Sequence, residues 1–399
     1  MVPAIRNAFN AGFTEEKYKA LLADIEAHYP GQLDFRVAET PIFIPHQFTQ
    51  KMLDACEHII DVIQSADYKK QSDRAIPENL RVPNEDARPQ FIAFDFGICT
   101  GANGEPEPQL IELQGFPSMF AYQILFPELS RAHFDIPANY DAYLNGFTKE
   151  TYIAFLKKLI VADGPPENAI LLEIFPERQK TRIDFRCTET YVGINTVDLM
   201  DVIREGRELY YFNQGKKTKI NRIYNRVIFD DLAQQPPEVQ EQGKILLQDL
   251  DVTWVPHPAW FYRISKFTLP FINHPYVPHT RFLSDVNELP GDLENYVLKP
   301  LFSFAGQGVV IDVARADIEQ VANPQDWILQ RKVQYAAAIE TPGEWAKAEI
   351  RLFYFWDEES PRPVATNNLA RLSKGKMIGV RYNKDKEWVG GSLAFFEKK

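Results

Sequence analysis

Cysteine is scarce: Cys56, Cys99 and Cys187 are the only three in 399 residues. They are widely spaced, odd in number and form no CxxC pair, which suggests neither a disulfide framework nor a zinc site. Each reads as a buried free thiol. His257, His274 and His279 lack the HxxxH spacing of a helical metal site. No apolar run reaches the roughly 20 residues of a membrane helix. Basic charge is also short, with 44 Lys and Arg against 55 Asp and Glu, a net charge of −11. That balance offers no general attraction to nucleic acid or anionic lipid. The first residues carry acids in an amphipathic pattern and not a signal-peptide run. The expectation is a cytoplasmic protein without nucleic-acid or membrane partners, in which an anionic ligand needs a local basic pocket.

Aromatics, in contrast, are abundant. Phe and Tyr number 28 and 17, and apolar residues make up 45% of the chain, enough for a well-packed core. A chain of this length divides into two or three subdomains. The divisions expected are 1–160, a helical region plus a pair of acidic strands; 161–255, a small α/β unit; and 256–399, which carries the glycine loop.

Apolar periodicity places helices over residues 14–28 and 46–66. Residues 69–88, rich in Asp, Glu, Asn, Arg and Pro, read as a loop or a lid. Short strands are expected at Ile170–Ile174, Thr196–Met200, Leu209–Phe212 and Ile220–Tyr224, with a helix over 180–188 and a lysine turn at 215–217. Strand–helix alternation there suggests an α/β unit. Further strands are expected at Trp327–Val333, Ala348–Tyr354 and Lys376–Tyr382.

Two places carry chemistry. Tyr296-Val297-Leu298 runs as a strand into Lys299, and Ser303 to Gly308 then form a small-residue loop before Val309-Val310-Ile311. Glycines let a backbone present N–H groups to an anion, and lysine adds a compact charge suited to phosphate. A plain hairpin with a solvated lysine is the other reading. In the second place, Phe91–Phe96 and Gln109–Gln114 form a hairpin with Asp95 and Glu112 inside apolar strands. A buried carboxylate is costly unless it is paired or holds a metal. Glu112 and Gln114 share a face by period two, and with Asp95 they supply three oxygen donors of the kind Mg²⁺ takes. The alternative is the solvent side of a half-exposed sheet.

Taken together, VLKP with FAGQGV, WILQRKV and EIRLFYFW resemble an ATP-grasp ligase. FDF and IELQGFPS precede the lysine loop, and that permuted order resembles glutathionylspermidine synthase. INRIYNRVIFDD, HPAWFYRISKFTLPF, IGVRYN and WVGGSLAFF extend the likeness over most of the chain after residue 90. The resemblance implies an α+β or α/β ATP-grasp fold in permuted order, with a small α/β subdomain. It implies ATP and Mg²⁺ as cofactors, with Asp95, Glu112 and Gln114 on the metal. Lys299 would contact nucleotide phosphates, Ser303, Ala305, Gly306, Gln307 and Gly308 would close over them, and Gln330, Lys332 and Val333 would lie beside adenine. Arg381 or Arg351, with Lys299, would stabilise the transferred phosphoryl group. The chemistry implied is amide formation between a small-molecule or peptide carboxylate and an amine, through an acyl-phosphate. Ala93 stands where the family carries arginine, and Gln114 where it carries asparagine. These departures keep a second reading open, a nucleotide- or partner-binding protein with reduced catalysis.

Overall fold

The computed structural model describes residues 2–302, 308–375, 378, 383 and 385–399. Thr14 caps the helix Glu15–His28, its Oγ1 accepting from Lys17 N at 3.3 Å. That helix buries Tyr18, Leu21 and Ile25, and the helix His46–Gln64 buries Met52, Cys56, Ile59 and Ile60, as the apolar period requires.

Three sheets position the site. The acidic hairpin is longer than its apolar cores: Phe91–Thr100 pairs antiparallel with Pro106–Gln114. On its other side Phe91–Thr100 meets Lys347–Phe355. Val364–Ser373 and Gly390–Ser392 complete an antiparallel five-stranded sheet. One face packs on aromatic side chains, with the Phe120 ring 4.7 Å from Phe353 and 5.1 Å from Phe355. A smaller antiparallel sheet holds the lysine strand. Tyr296–Pro300 pairs with Val310–Ile311 on one side and Trp327–Arg331 on the other, and Thr280–Phe282 forms the outer edge. The third sheet is parallel, ordered Thr253–Val255, Arg222–Asn225, Ala169–Glu173, Asn195–Asp198. Strands of 1–160 and 256–399 therefore share one sheet, and the parallel sheet lies within 161–255.

Several expectations need correction. Ile220–Tyr224 is two strands: the chain turns at Asn221, whose N–H donates to Asn168 O at 2.8 Å. Lys216–Ile220 joins a separate hairpin sheet with Glu208–Asn213 and Ile203–Glu205, and only Arg222–Asn225 enters the parallel sheet. The turn expected at 215–217 sits at Gln214-Gly215, with φ of 50° and 79°, and Lys216 already belongs to a strand. The strand expected at Lys376–Tyr382 falls, except for Ile378, outside the described residues. Within 69–88 the chain forms short helical turns fastened to the body. The Arg263 guanidinium grips Glu85 with two bonds of 2.7 and 2.9 Å, and also reaches Asp73 and Ser72 at 2.9 and 3.0 Å. Trp260 Nε1 donates to Asp86 at 2.7 Å.

Candidate functional site

Register puts the acidic hairpin's charged residues on one face. Asp95 lies opposite Glu112 on one neighbouring strand and opposite Arg351 on the other, and Glu349 lies opposite Arg371. Cross-strand partners share a face, so four strands supply one charged patch. Asp95 is 1% exposed. Arg351 grips it as a fork, Nε to Oδ1 at 2.5 Å and Nη2 to Oδ2 at 2.6 Å, and Arg371 Nη2 adds a third bond to Oδ2 at 2.9 Å. Arg371 Nη2 also donates to buried Glu349 at 2.8 Å, and the Tyr335 hydroxyl donates to that carboxylate's other oxygen. Glu112 is half-exposed, 3.7 Å from Arg351 Nη2. Burial raises the Glu349 pKa against the pull of Arg371. Burial also works against the Arg371 charge, but Glu349, Asp95 and Glu112 more than offset it, and its pKa rises.

The lysine strand abuts this face. Lys299 Nζ donates to Gln330 Oε1 at 2.6 Å and, across the sheet boundary, to Ile111 O at 3.4 Å. Gln330 is buried, and its Nε2 donates to Thr280 Oγ1 at 3.1 Å. Burial pulls the Lys299 pKa down to about 8, with Lys266 adding repulsion and Glu112 and Glu349 opposing. Buried Lys266 donates to Leu301 O at 3.5 Å, and its pKa is also lowered by burial, opposed by Glu112 and Asp230.

The second half of the site is the carboxyl edge of the parallel sheet, where open α/β sheets bind ligands. Glu173 ends one strand, Asp198 another, and Arg226 follows a third. Burial raises the Glu173 pKa to about 8, although Arg226 draws it back. Arg226 lies over the Phe116 and Phe185 rings at 5.7 and 5.6 Å and donates to Ser118 O at 2.8 Å. Asp184 accepts from Ala121 N and Tyr122 N, both at 2.9 Å, through Oδ1, leaving its buried Oδ2 without a partner. Ser118 joins the two halves, since its Oγ accepts from Arg351 Nη1 at 3.2 Å. Gly115 lets this turn pass Trp260, because a Cβ there would stand 2.6 Å from the Trp260 carbonyl oxygen.

Of the residues picked from sequence, Asp95, Glu112, Arg351, Lys299 and Gln330 come together here. Gln114 stands at the end of the same hairpin strand, its Nε2 donating to Phe116 O at 3.5 Å. Lys332 and Val333 follow the Trp327–Arg331 strand, and Lys332 is engaged by the Asp312 carboxylate and by Glu294 O at 3.0 Å. Gly308 closes the glycine loop at φ +74°. Ser303, Ala305, Gly306, Gln307 and Arg381 lie outside the described residues. Sequence reasoning missed Arg371, Glu349, Lys266, Arg226, Glu173 and Asp230. A charged residue inside an apolar strand was a usable signal for Glu349 and Glu173, as it was for Asp95.

The donor set does not fit a divalent cation as arranged. Both Asp95 oxygens are held by guanidinium groups, and Glu112 faces Arg351 Nη2 at 3.7 Å. Among the described residues no group of three or more His, Cys, Asp or Glu is disposed to hold a metal ion. Two surface cavities, of about 280 and 310 Å³, are lined by residues outside the charged patch.

No protein-family model matches the chain, and no curated protein does. A solved structure does: a glutathione synthetase like-effector (GSS30) from Globodera pallida in its apo form. It has a TM-score of 0.60 at 10% identity, over 97% of this chain and 98% of that one. The chain shares the overall fold of that structure, a mixed α+β arrangement of several sheets.

Proposed function

We propose that the protein is an ATP-dependent ligase of the ATP-grasp type that joins a carboxylate to an amine. One observation carries this reading. Lys299 and Lys266 from one side, and Arg351 and Arg371 from the other, converge where the lysine strand meets the acidic hairpin. Four cations, three on two sheets and Lys266 on a helical turn, make a site for a polyphosphate, and such catalysis is mainly positioning and charge.

The chain's own residues take these roles. Lys299, oriented by Gln330, and Lys266 hold phosphate oxygens, with Gly308 assigned to the same phosphates from sequence. Lys332 and Val333 flank the base. Arg351, fixed in direction by Asp95, faces the transferring phosphoryl group, with Arg381 assigned beside it from sequence. Bound ATP supplies a phosphoryl group to the acid, and the amine then displaces phosphate. Arg226 and Ser118 suit the acid's carboxylate at the parallel-sheet edge. Asp198, at the end of its strand on that edge, suits a cationic amine. Packing of the two sheets limits water that would hydrolyse the activated acid.

Asp95 clamped by two arginines, with Ala93 on the same strand, favours the second reading: a protein that binds nucleotide or a partner with reduced catalysis. ADP release separates the two, measured with glutathione as acid probe and spermidine as amine probe. Release that needs both probes and falls at least about tenfold, about 1.4 kcal/mol, in Arg351→Ala supports the ligase. ATP binding with no release for any acid–amine pair supports the second reading.

A further inference from the structure

We infer that the polyphosphate site of this chain is metal-independent: the Arg351–Arg371 pair occupies the electrostatic place of a divalent cation, and Asp95 is the pair's internal counter-ion. The inference rests on the nucleotide reading for the identity of the ligand, not for the charge arrangement.

The oxygens come first. Mg²⁺ demands near-ideal octahedral oxygen geometry and keeps several waters. Asp95, 1% exposed, leaves no side for a hydrated ion, and each of its oxygens already accepts a charge-assisted bond of 2.5 to 2.9 Å. A divalent ion there would stand against two guanidinium groups in a dry setting, where like charges repel strongly. Glu112 is engaged by the same Arg351 at 3.7 Å.

The charge balance points the same way. Lys266, Lys299, Arg351 and Arg371 face Asp95, Glu112, Glu349 and Asp230, so every carboxylate is matched by a cation of the chain and no negative excess is left for a metal. An acidic metal site would show a negative excess and would need its cation before accepting phosphate. Arg371 meets both of its carboxylates through Nη2, so its Nη1 is spent on neither. Planar guanidinium donors match phosphate oxygens.

The test is isothermal titration of the full chain with ATP and with inorganic tripolyphosphate, each in EDTA and in Mg²⁺, on wild type and Glu112→Gln. Glu112 is half-exposed, so the substitution spares the core. ATP should bind in EDTA within about threefold of its affinity in Mg²⁺, and Glu112→Gln should tighten it severalfold by removing a repelling carboxylate. ATP binding that needs Mg²⁺ and weakens in Glu112→Gln overturns the inference and leaves the nucleotide reading standing. Tripolyphosphate binding in EDTA with no ATP binding in either buffer sustains the inference and removes the nucleotide reading. Binding of neither ligand in EDTA overturns the inference.

Discussion

Asp95→Asn is the substitution with the largest consequence that the geometry allows to be worked through. It is isosteric, so it opens no cavity, yet it removes the charge that neutralises Arg351 and Arg371. Three short bonds to a carboxylate 1% exposed are weakened together. Removing one partner of a buried ion pair costs about 3–5 kcal/mol, because the remaining charge is left uncompensated. With about 2.1 cal/mol/K of unfolding entropy per residue, a chain of this length should lose roughly 4–6 °C of Tm. The assay is denaturant and thermal unfolding in EDTA, which removes any metal contribution. A double-mutant cycle with Arg351→Met apportions the loss, and the pair should couple by at least about 2 kcal/mol. If Asp95→Asn costs less than about 1 kcal/mol, or the cycle is additive, Asp95 is not the internal counter-ion and the charged patch needs another account.

Other outcomes follow from the same structure. Lys299 has its pKa lowered to about 8, so ATP binding should weaken about tenfold from pH 7 to pH 9 as the cation loses its proton. Lys299→Arg should flatten that profile in calorimetry. Glu173 has its pKa raised to about 8 in the fold, so the folded state binds more protons than the unfolded one between the ordinary carboxylate range and pH 8. Stability should therefore fall as pH rises through that window. Glu173→Gln should remove the fall and stabilise the protein above pH 8, read by urea unfolding at several pH values. Arg263→Ala frees Glu85, Asp73 and Ser72, so limited proteolysis should cut first within 69–88. Unchanged cleavage there would show that other contacts hold the segment.

The parts of this fold legible in the sequence are those where one strand alone states the pattern. Phe91–Phe96 and Tyr296–Leu298 announced their strands through apolar runs, and Asp95 and Lys299 stood out against them. The strand Val364–Ser373 gave no such signal, because Asn367 and Asn368 break its apolar run. Both are buried, held by Gln123 O, Ala142 O and Ala394 O at 2.8 to 3.0 Å. Distant partners satisfy those amides, so a tertiary contact overrides local propensity. The same strand carries Arg371, which is why it was missed. Asp95 read as a metal donor for a related reason: its two arginines are more than 250 positions away, and no local spacing shows which opposite charge a buried carboxylate will meet. The polar composition of 69–88 likewise gave no sign of the Arg263 fork that fastens it.

The most direct test of the central claim is calorimetric titration of ATP into the full chain and into Lys299→Ala. The account predicts one site per chain for wild type and a loss of at least about tenfold in affinity for the variant, about 1.4 kcal/mol. Wild-type affinity retained in Lys299→Ala would place the nucleotide elsewhere and contradict the proposed site.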